Sequence, residues 1–138
     1  MDSPQADVKT TRLADYTPPD FLVDHVELDV DLRDGQTRVT STMQFRLNPE
    51  NTREGGSDLI LDGECLALES LAINGEPVAE NRYRYEKDKL TIESVPETFS
   101  LTSVVRIEPE KNTALDGLYR SNGMYCTQCE AEGFRRIT

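Results

Sequence analysis
The sequence predicts an all-β fold, an antiparallel saddle-like sheet or sandwich, and three observations carry that expectation. Apolar residues alternate with polar ones from Val26 to Leu32 and again from Val39 to Leu47. The turn dipeptides Asp34-Gly35, Asn74-Gly75 and Lys87-Asp88 separate short β-rich runs. No window of about eleven residues or more carries a 3.6-residue period, so helix is expected in under about a tenth of the chain.

Taken in order, residues 1–19 read as a polar, extended leader closing in Pro18-Pro19, and residues 20–138 as one all-β domain. The first hairpin pairs 26–33 with 36–47 around Asp34-Gly35, a turn expected to need φ > 0 at both central residues. A two-residue turn sets Val30 opposite Val39, Leu28 opposite Ser41, Val26 opposite Met43 and Asp31 opposite Arg38. The apolar partners then share one face. "DLIL" and "CLALESLAI" lead to the Asn74-Gly75 turn, from which "EPV" returns. "YRYEKDKLTI" forms a hairpin about Lys87-Asp88, setting Tyr85 against Leu90 and Tyr83 against Ile92. A longer strand covers 99–107. From Glu108 the alternation fades into what reads as ordered loop structure at a domain edge. The final "FRRIT" reads as the start of a strand without its continuation, the mark of a piece of a longer protein.

Composition narrows the function classes. A chain of 138 residues is one ordinary domain, long enough to bury a core without staples. Its net charge of −11 repels phosphate backbones and anionic lipid, so neither nucleic acid nor membrane is an expected partner. There is no apolar run of membrane-spanning length and no signal-like N-terminus. Three cysteines suit a reducing compartment better than a disulfide framework, which makes the cytoplasm the expected location.

The densest chemistry lies in "CTQCEAEGFRR", Cys126 to Arg136. Cys126-Thr-Gln-Cys129 matches a redox spacing, but that mechanism needs a strand-to-helix setting. A structural zinc site needs four ligands, and the third cysteine, Cys65, stands alone. Two small side chains packed in a tight loop is the simpler account. His25, the single histidine, falls on the polar face of the first strand, and no H-E-x-x-H or Ser-His-Asp set is present. The acidic "DVELDVDLRD" alternates as a strand and lacks calcium-loop spacing. Gln128, Glu130 and Glu132 would share one side of an extended segment, Cys129 and Ala131 the other. A carboxylate beside an amide could hold a ligand ammonium, which presents three donors; solvated side chains are the plainer alternative.

"NTALDGLYRS" (112–121) followed by "CTQCEAEGFRRIT" (126–138), with "LDGECLALESLAINGEPV" and the Pro-Pro-Asp entry to the first strand, resembles one known family. It is similar to the N-terminal domain of the bacterial aminopeptidase N (alanyl aminopeptidase) family of zinc metallopeptidases. The resemblance covers nearly the whole chain and is most specific over 112–138. It implies a zinc exopeptidase of peptide catabolism that removes single N-terminal residues, with a saddle-like N-terminal domain packed on a thermolysin-like catalytic domain of the same polypeptide. Zinc ligands and general base would lie in that second domain, leaving this chain with no catalytic residue, metal or bound cofactor of its own. The resemblance assigns Glu130 to the substrate's free α-amino group and Gln128 to the pocket for the first side chain. Arg136 stands where the family more often has histidine. The alternative from a different class is a non-catalytic β-sandwich binding or interaction module.

Overall fold
The computed structural model describes residues 10–50 and 58–138; residues 1–9 of the expected leader lie outside the described residues. Strands β1 (Phe21–Asp31), β2 (Thr37–Leu47), β4 (Ala67–Ile73), β5 (Glu76–Pro77) and β8 (Thr98–Ile107) form a five-stranded antiparallel sheet in the order β1-β2-β8-β4-β5. A second sheet pairs β3 (Leu59–Asp62), β7 (Lys89–Ile92) and β6 (Tyr83–Glu86), and a two-stranded ribbon pairs β9 (Gly117–Ser121) with β10 (Met124–Gln128). The open, largely antiparallel sheets answer to the expected all-β class. Helical turns take 12% of the described residues, a little over the expected tenth, and all of them are 3₁₀.

The first hairpin has the expected register: Val30 faces Val39, Leu28 faces Ser41, Val26 faces Met43 and Asp31 faces Arg38. Its turn differs from the expectation. Gln36 N–H donates to the Arg33 carbonyl (3.0 Å), but only Gly35 has positive φ (+74°), and Asp34 does not. That is the requirement of a turn needing glycine in its second central position alone. The buried Thr37 hydroxyl closes the turn by donating to the Arg33 carbonyl (3.0 Å). At Asn74-Gly75 and Lys87-Asp88 both central residues do have positive φ, and Tyr85 faces Leu90 and Tyr83 faces Ile92 as expected.

Gly35→Val is therefore expected to cost about 1 kcal/mol or more, because a β-branched residue resists positive φ. A Cβ at Gly35 would have Glu110 Oε1 as its nearest neighbour, at 3.9 Å, so the cost is conformational and not steric. The denaturation midpoint of the 138-residue chain checks it; an unchanged midpoint means the turn does not constrain the hairpin.

β1 starts earlier than the alternation indicates, at Phe21, and the reason is a bulge. The register shifts between Val23 and His25, so Asp24 is the extra residue, its carboxylate held by Arg46 Nε (2.9 and 3.0 Å). The bulge moves the odd-numbered Phe21 and Val23 onto the face that Val26, Leu28 and Val30 occupy beyond it. At the end of β2, buried Asn48 receives the chain entry. Its backbone N–H donates to the Asp20 carbonyl (2.9 Å) and its side-chain amide to the Pro19 carbonyl (2.8 Å).

One face of the five-stranded sheet carries two adjoining cores. Phe21, Phe45, Leu71, Phe99 and Leu101 pack against Leu59, Leu90 and Ile92 of the three-stranded sheet. The Phe99 ring stacks on Phe45 (centroids 5.2 Å apart) and meets Phe21 edge-on (5.7 Å). Further along the same face, Val39, Val105 and Ile107 are covered by Leu118 of β9 and by Ile137 near the chain's end. The alternation of β8, with Phe99, Leu101, Ser103, Val105 and Ile107 all buried, joins the two. This second core carries the candidate site.

Candidate functional site
The region expected to be loop is built around a hairpin. β9 and β10 pair about Asn122-Gly123, both residues with positive φ, so that Cys126 faces Tyr119 and Gln128 faces Gly117. Asn-Gly between two short runs was the available signal for this turn. Its polar flanks and the glycines on either side diluted the alternation.

Beyond Gln128 the segment is not extended. Glu130–Arg136 forms a seven-residue 3₁₀ stretch, so Gln128, Glu130 and Glu132 do not line one side of a strand, and "FRRIT" does not begin one. Burial of Ile137 in the second core draws the chain inward and turns it. Glu132 takes φ = +76°, uncommon for a residue with a side chain. Its carboxylate reaches Arg135 Nη2 (3.3 Å), and the same guanidinium lies 3.4 Å from Asp62 Oδ2 and 3.8 Å from Glu64 Oε1. Arg136, at the position where histidine was more expected, reaches Glu64 Oε2 (3.5 Å). The Glu64 backbone N–H donates to the Arg135 carbonyl (2.8 Å). Two arginines thus tie the segment to the 62–64 loop, contacts that sequence spacing could not reveal.

The two predicted site residues are brought together. Gln128 Oε1 accepts the Glu130 backbone N–H (3.2 Å), both side chains are exposed, and no cation among the described residues pairs with the Glu130 carboxylate. Arg120 and Tyr125 brace the hairpin's other end against the first turn. Arg120 Nη1 and the Tyr125 hydroxyl lie 2.8 and 2.9 Å from Asp34 Oδ1, with the guanidinium over the tyrosine ring. Hydrogen bonding to that carboxylate raises the Tyr125 pKa above its ordinary value.

Cys126 lies half-buried on β10 and Cys129 is exposed, so the expected loop packing of both is corrected: one is a strand residue, the other faces solvent. All three cysteines are free. His25 is exposed on β1. Among the described residues no group of three or more His, Cys, Asp or Glu is placed to hold a metal ion. No helix among them is long and apolar enough to cross a membrane. A cavity of about 320 Å³ lies between the two larger sheets, walled by Met43, Leu61, Tyr85, Val105 and Phe134. Its wall is mostly apolar but includes Asp62, Glu132 and Arg135, and neither Gln128 nor Glu130 lines it.

Comparison with known proteins gives this geometry a setting. No protein-family model matches the chain. The aminopeptidase N of Caulobacter vibrioides is 45% identical over 139 aligned positions, covering 99% of this chain and 15% of that protein. The aminopeptidase N of Escherichia coli is 44% identical, covering 90% of this chain and 14% of its own length. Among solved structures, Legionella pneumophila aminopeptidase A in complex with aspartic acid superposes with a TM-score of 0.85 at 32% identity, over 93% of this chain and 15% of that one. An M1 zinc metallopeptidase of Deinococcus radiodurans bound to a Tyr-Ser-Ala substrate shares the fold, with a TM-score of 0.65 at 21% identity over 86% of this chain and 28% of its own. Fold and sequence together define the class of protein it resembles: an all-β domain matching the N-terminal portion of an aminopeptidase. Within that class the chain's homologues are the bacterial aminopeptidases N, and it matches their N-terminal portion. It spans about 15% of the length of these relatives.

Proposed function
We propose that this chain is the N-terminal domain of a zinc metallo-aminopeptidase that removes single residues from peptide N-termini, and that it supplies the anchor for the substrate's free α-amino group. Glu130 accepts the ammonium; Gln128 lines the pocket for the first side chain. The observation that carries this reading is the shared turn in which Gln128 Oε1 caps the Glu130 backbone, leaving a carboxylate exposed beside an amide. An ammonium has three protons to donate, and these oxygens are acceptors. One structural neighbour, 32% identical, holds aspartic acid, a ligand with a free amine, which supports an amine-recognising role.

The domain takes up residues 20–138, preceded by a leader of residues 1–19. Zinc, its ligands and the general base belong to a catalytic domain of the same polypeptide, on which this domain packs. The working place is the cytoplasm, where thiols stay reduced, and the role is peptide catabolism. A net charge of −11 leaves nucleic acid and anionic membrane outside its partners. By itself the chain then binds no stoichiometric zinc and does not hydrolyse an alanyl-anilide. Metal analysis and a chromogenic assay test this, and turnover that follows the protein through repurification overturns it. The anchor itself is tested in the full-length enzyme, by comparing Glu130→Ala with wild type on a free-amino substrate and on its N-acetylated counterpart.

A further inference from the structure
The contact that closes the site turn is made by glycine. Gly133 is buried, and a Cβ built there would have Asp116 Oδ1 at 2.8 Å and Gly117 N at 3.0 Å, with the Gln128 carbonyl oxygen closer still. A Cβ at Gly117 would meet Arg136 Cβ at 2.8 Å and the Gly133 carbonyl oxygen at 3.0 Å. The start of β9 and the middle of the 3₁₀ stretch therefore abut backbone to backbone, with no room for a side chain on either. The consequence is a small closed loop. Gln128 and Gly133 touch at its base, and Glu130 stands between them.

Both ends of this contact are held from behind. Asn112 donates from Nδ2 to the Asp116 carbonyl (2.6 Å) and the Leu118 carbonyl (2.9 Å), and its Oδ1 accepts the Ala114 N–H (3.1 Å). One side chain thus sets the backbone on either side of Gly117, and Leu118 then enters the second core. On the other side, burial of Ile137 and the Arg135 and Arg136 contacts hold the 3₁₀ stretch. The positive φ of Glu132 reverses the chain immediately before Gly133, a local strain that the surrounding contacts maintain.

We propose that Gly133 is a positioning residue for amine recognition: its missing side chain lets the 128–133 loop close, and that closure aims the Glu130 carboxylate and the Gln128 amide at one point. This rests on the assignment of Glu130 as the amine anchor. A methyl group at Gly133 meets the Gln128 carbonyl, which is backbone and cannot swing away. The loop must open, and the two acceptors separate.

The test uses the full-length enzyme with an alanyl-anilide and its N-acetylated counterpart. Gly133→Ala is expected to lower kcat/KM on the free amine about tenfold or more, mainly through KM, since misplacing a positioning group by about 1 Å can cost about a hundredfold. Zinc content and any rate on the acetylated substrate stay at wild-type values. Gly75→Ala serves as control. It carries a positive φ of +82° with nothing within 4 Å, so it strains a turn without touching the site and keeps the wild-type preference. Gly133 has no positive φ, so its substitution reports the contact alone. Should Gly133→Ala not accumulate as folded enzyme, Asn112→Ala decides, with an expected selective loss of about threefold or more. Unchanged preference in the deciding variant overturns the proposal. Glu130→Ala is run alongside: if it loses the free-amine preference while Gly133→Ala keeps it, the anchor stands and this inference falls. If Glu130→Ala loses nothing, the anchor assignment itself has failed.

Discussion
Glu130→Ala in the full-length enzyme is expected to lower kcat/KM on free-amino substrates about thirtyfold or more. An exopeptidase must recognise a free α-amino group, because that group alone marks the end of a chain. A carboxylate does so through charge-assisted hydrogen bonds, roughly twice as strong as neutral ones. Glu130 is exposed in this chain, so on the proposed assignment full strength requires a catalytic domain and substrate that exclude water around it. Removing one partner of such a pair costs on the order of 2–5 kcal/mol, much of it from leaving the other charge buried alone. Thirtyfold corresponds to about 2 kcal/mol, the lower end of that range. Zinc content should not change, and the preference for the free over the acetylated amine should collapse through loss of the free-amine reaction. Gln128→Ala should act more mildly, shifting preference among first-position side chains. It also removes the acceptor for the Glu130 N–H, so some loss of amine affinity accompanies the shift. Wild-type rates on free-amino substrates with Glu130→Ala would place the anchor elsewhere.

Leu101→Ala should be the most damaging of the core truncations. Leu101 is fully buried on β8, between β2 and β4, where it faces Met43 on one side and Ile73 on the other. It belongs to the cluster of Phe45, Phe99 and Ile92 that joins the two larger sheets. Deleting a buried leucine side chain removes its transfer energy and leaves a cavity, at a cost of about 3 kcal/mol or more in a site that cannot collapse. The rings stacked at Phe45 and Phe99 and the strands on both sides leave little freedom to relax. Leu28→Ala is the counterpart. Leu28 lies on edge strand β1 and stays 38% exposed, so its loss should cost under about 1 kcal/mol. Denaturant midpoints of the 138-residue variants measure both. A Leu101 cost below that of Leu28 would mean the two sheets do not share a core.

The fold was legible wherever its information was local. A period of two states which side chains share a face, and Asp-Gly, Asn-Gly or Lys-Asp between two runs states where the chain reverses. Those two facts suffice for the pairings of Val30 with Val39 and of Tyr85 with Leu90. The same signals fell short at the Asp24 bulge, where odd-numbered Phe21 and Val23 and even-numbered Val26 look incompatible until one residue is looped out. They fell short again past Gln128, where polar composition suits loop, strand and 3₁₀ turn alike.

The candidate site divides along the same line. Gln128 and Glu130 were named from their residue types and a family resemblance, and the chain brings them into one turn. That the turn is closed by Gly133 against Gly117, ordered by Asn112 and tied by Arg135 and Arg136 to the 62–64 loop was not legible. By itself the sequence determined the strand faces, three of the turns, the all-β class and the residue types able to hold an ammonium. These follow from dihedral preferences, side-chain alternation and donor chemistry, which act over a few residues. Only the tertiary structure decided the order β1-β2-β8-β4-β5, the winding of Glu130–Arg136 and the meeting of the two glycines. These depend on burying Ile137 and Leu118 against Val39, Val105 and Ile107, residues far apart in the chain, and the energy of that burial exists only once the sheets have met.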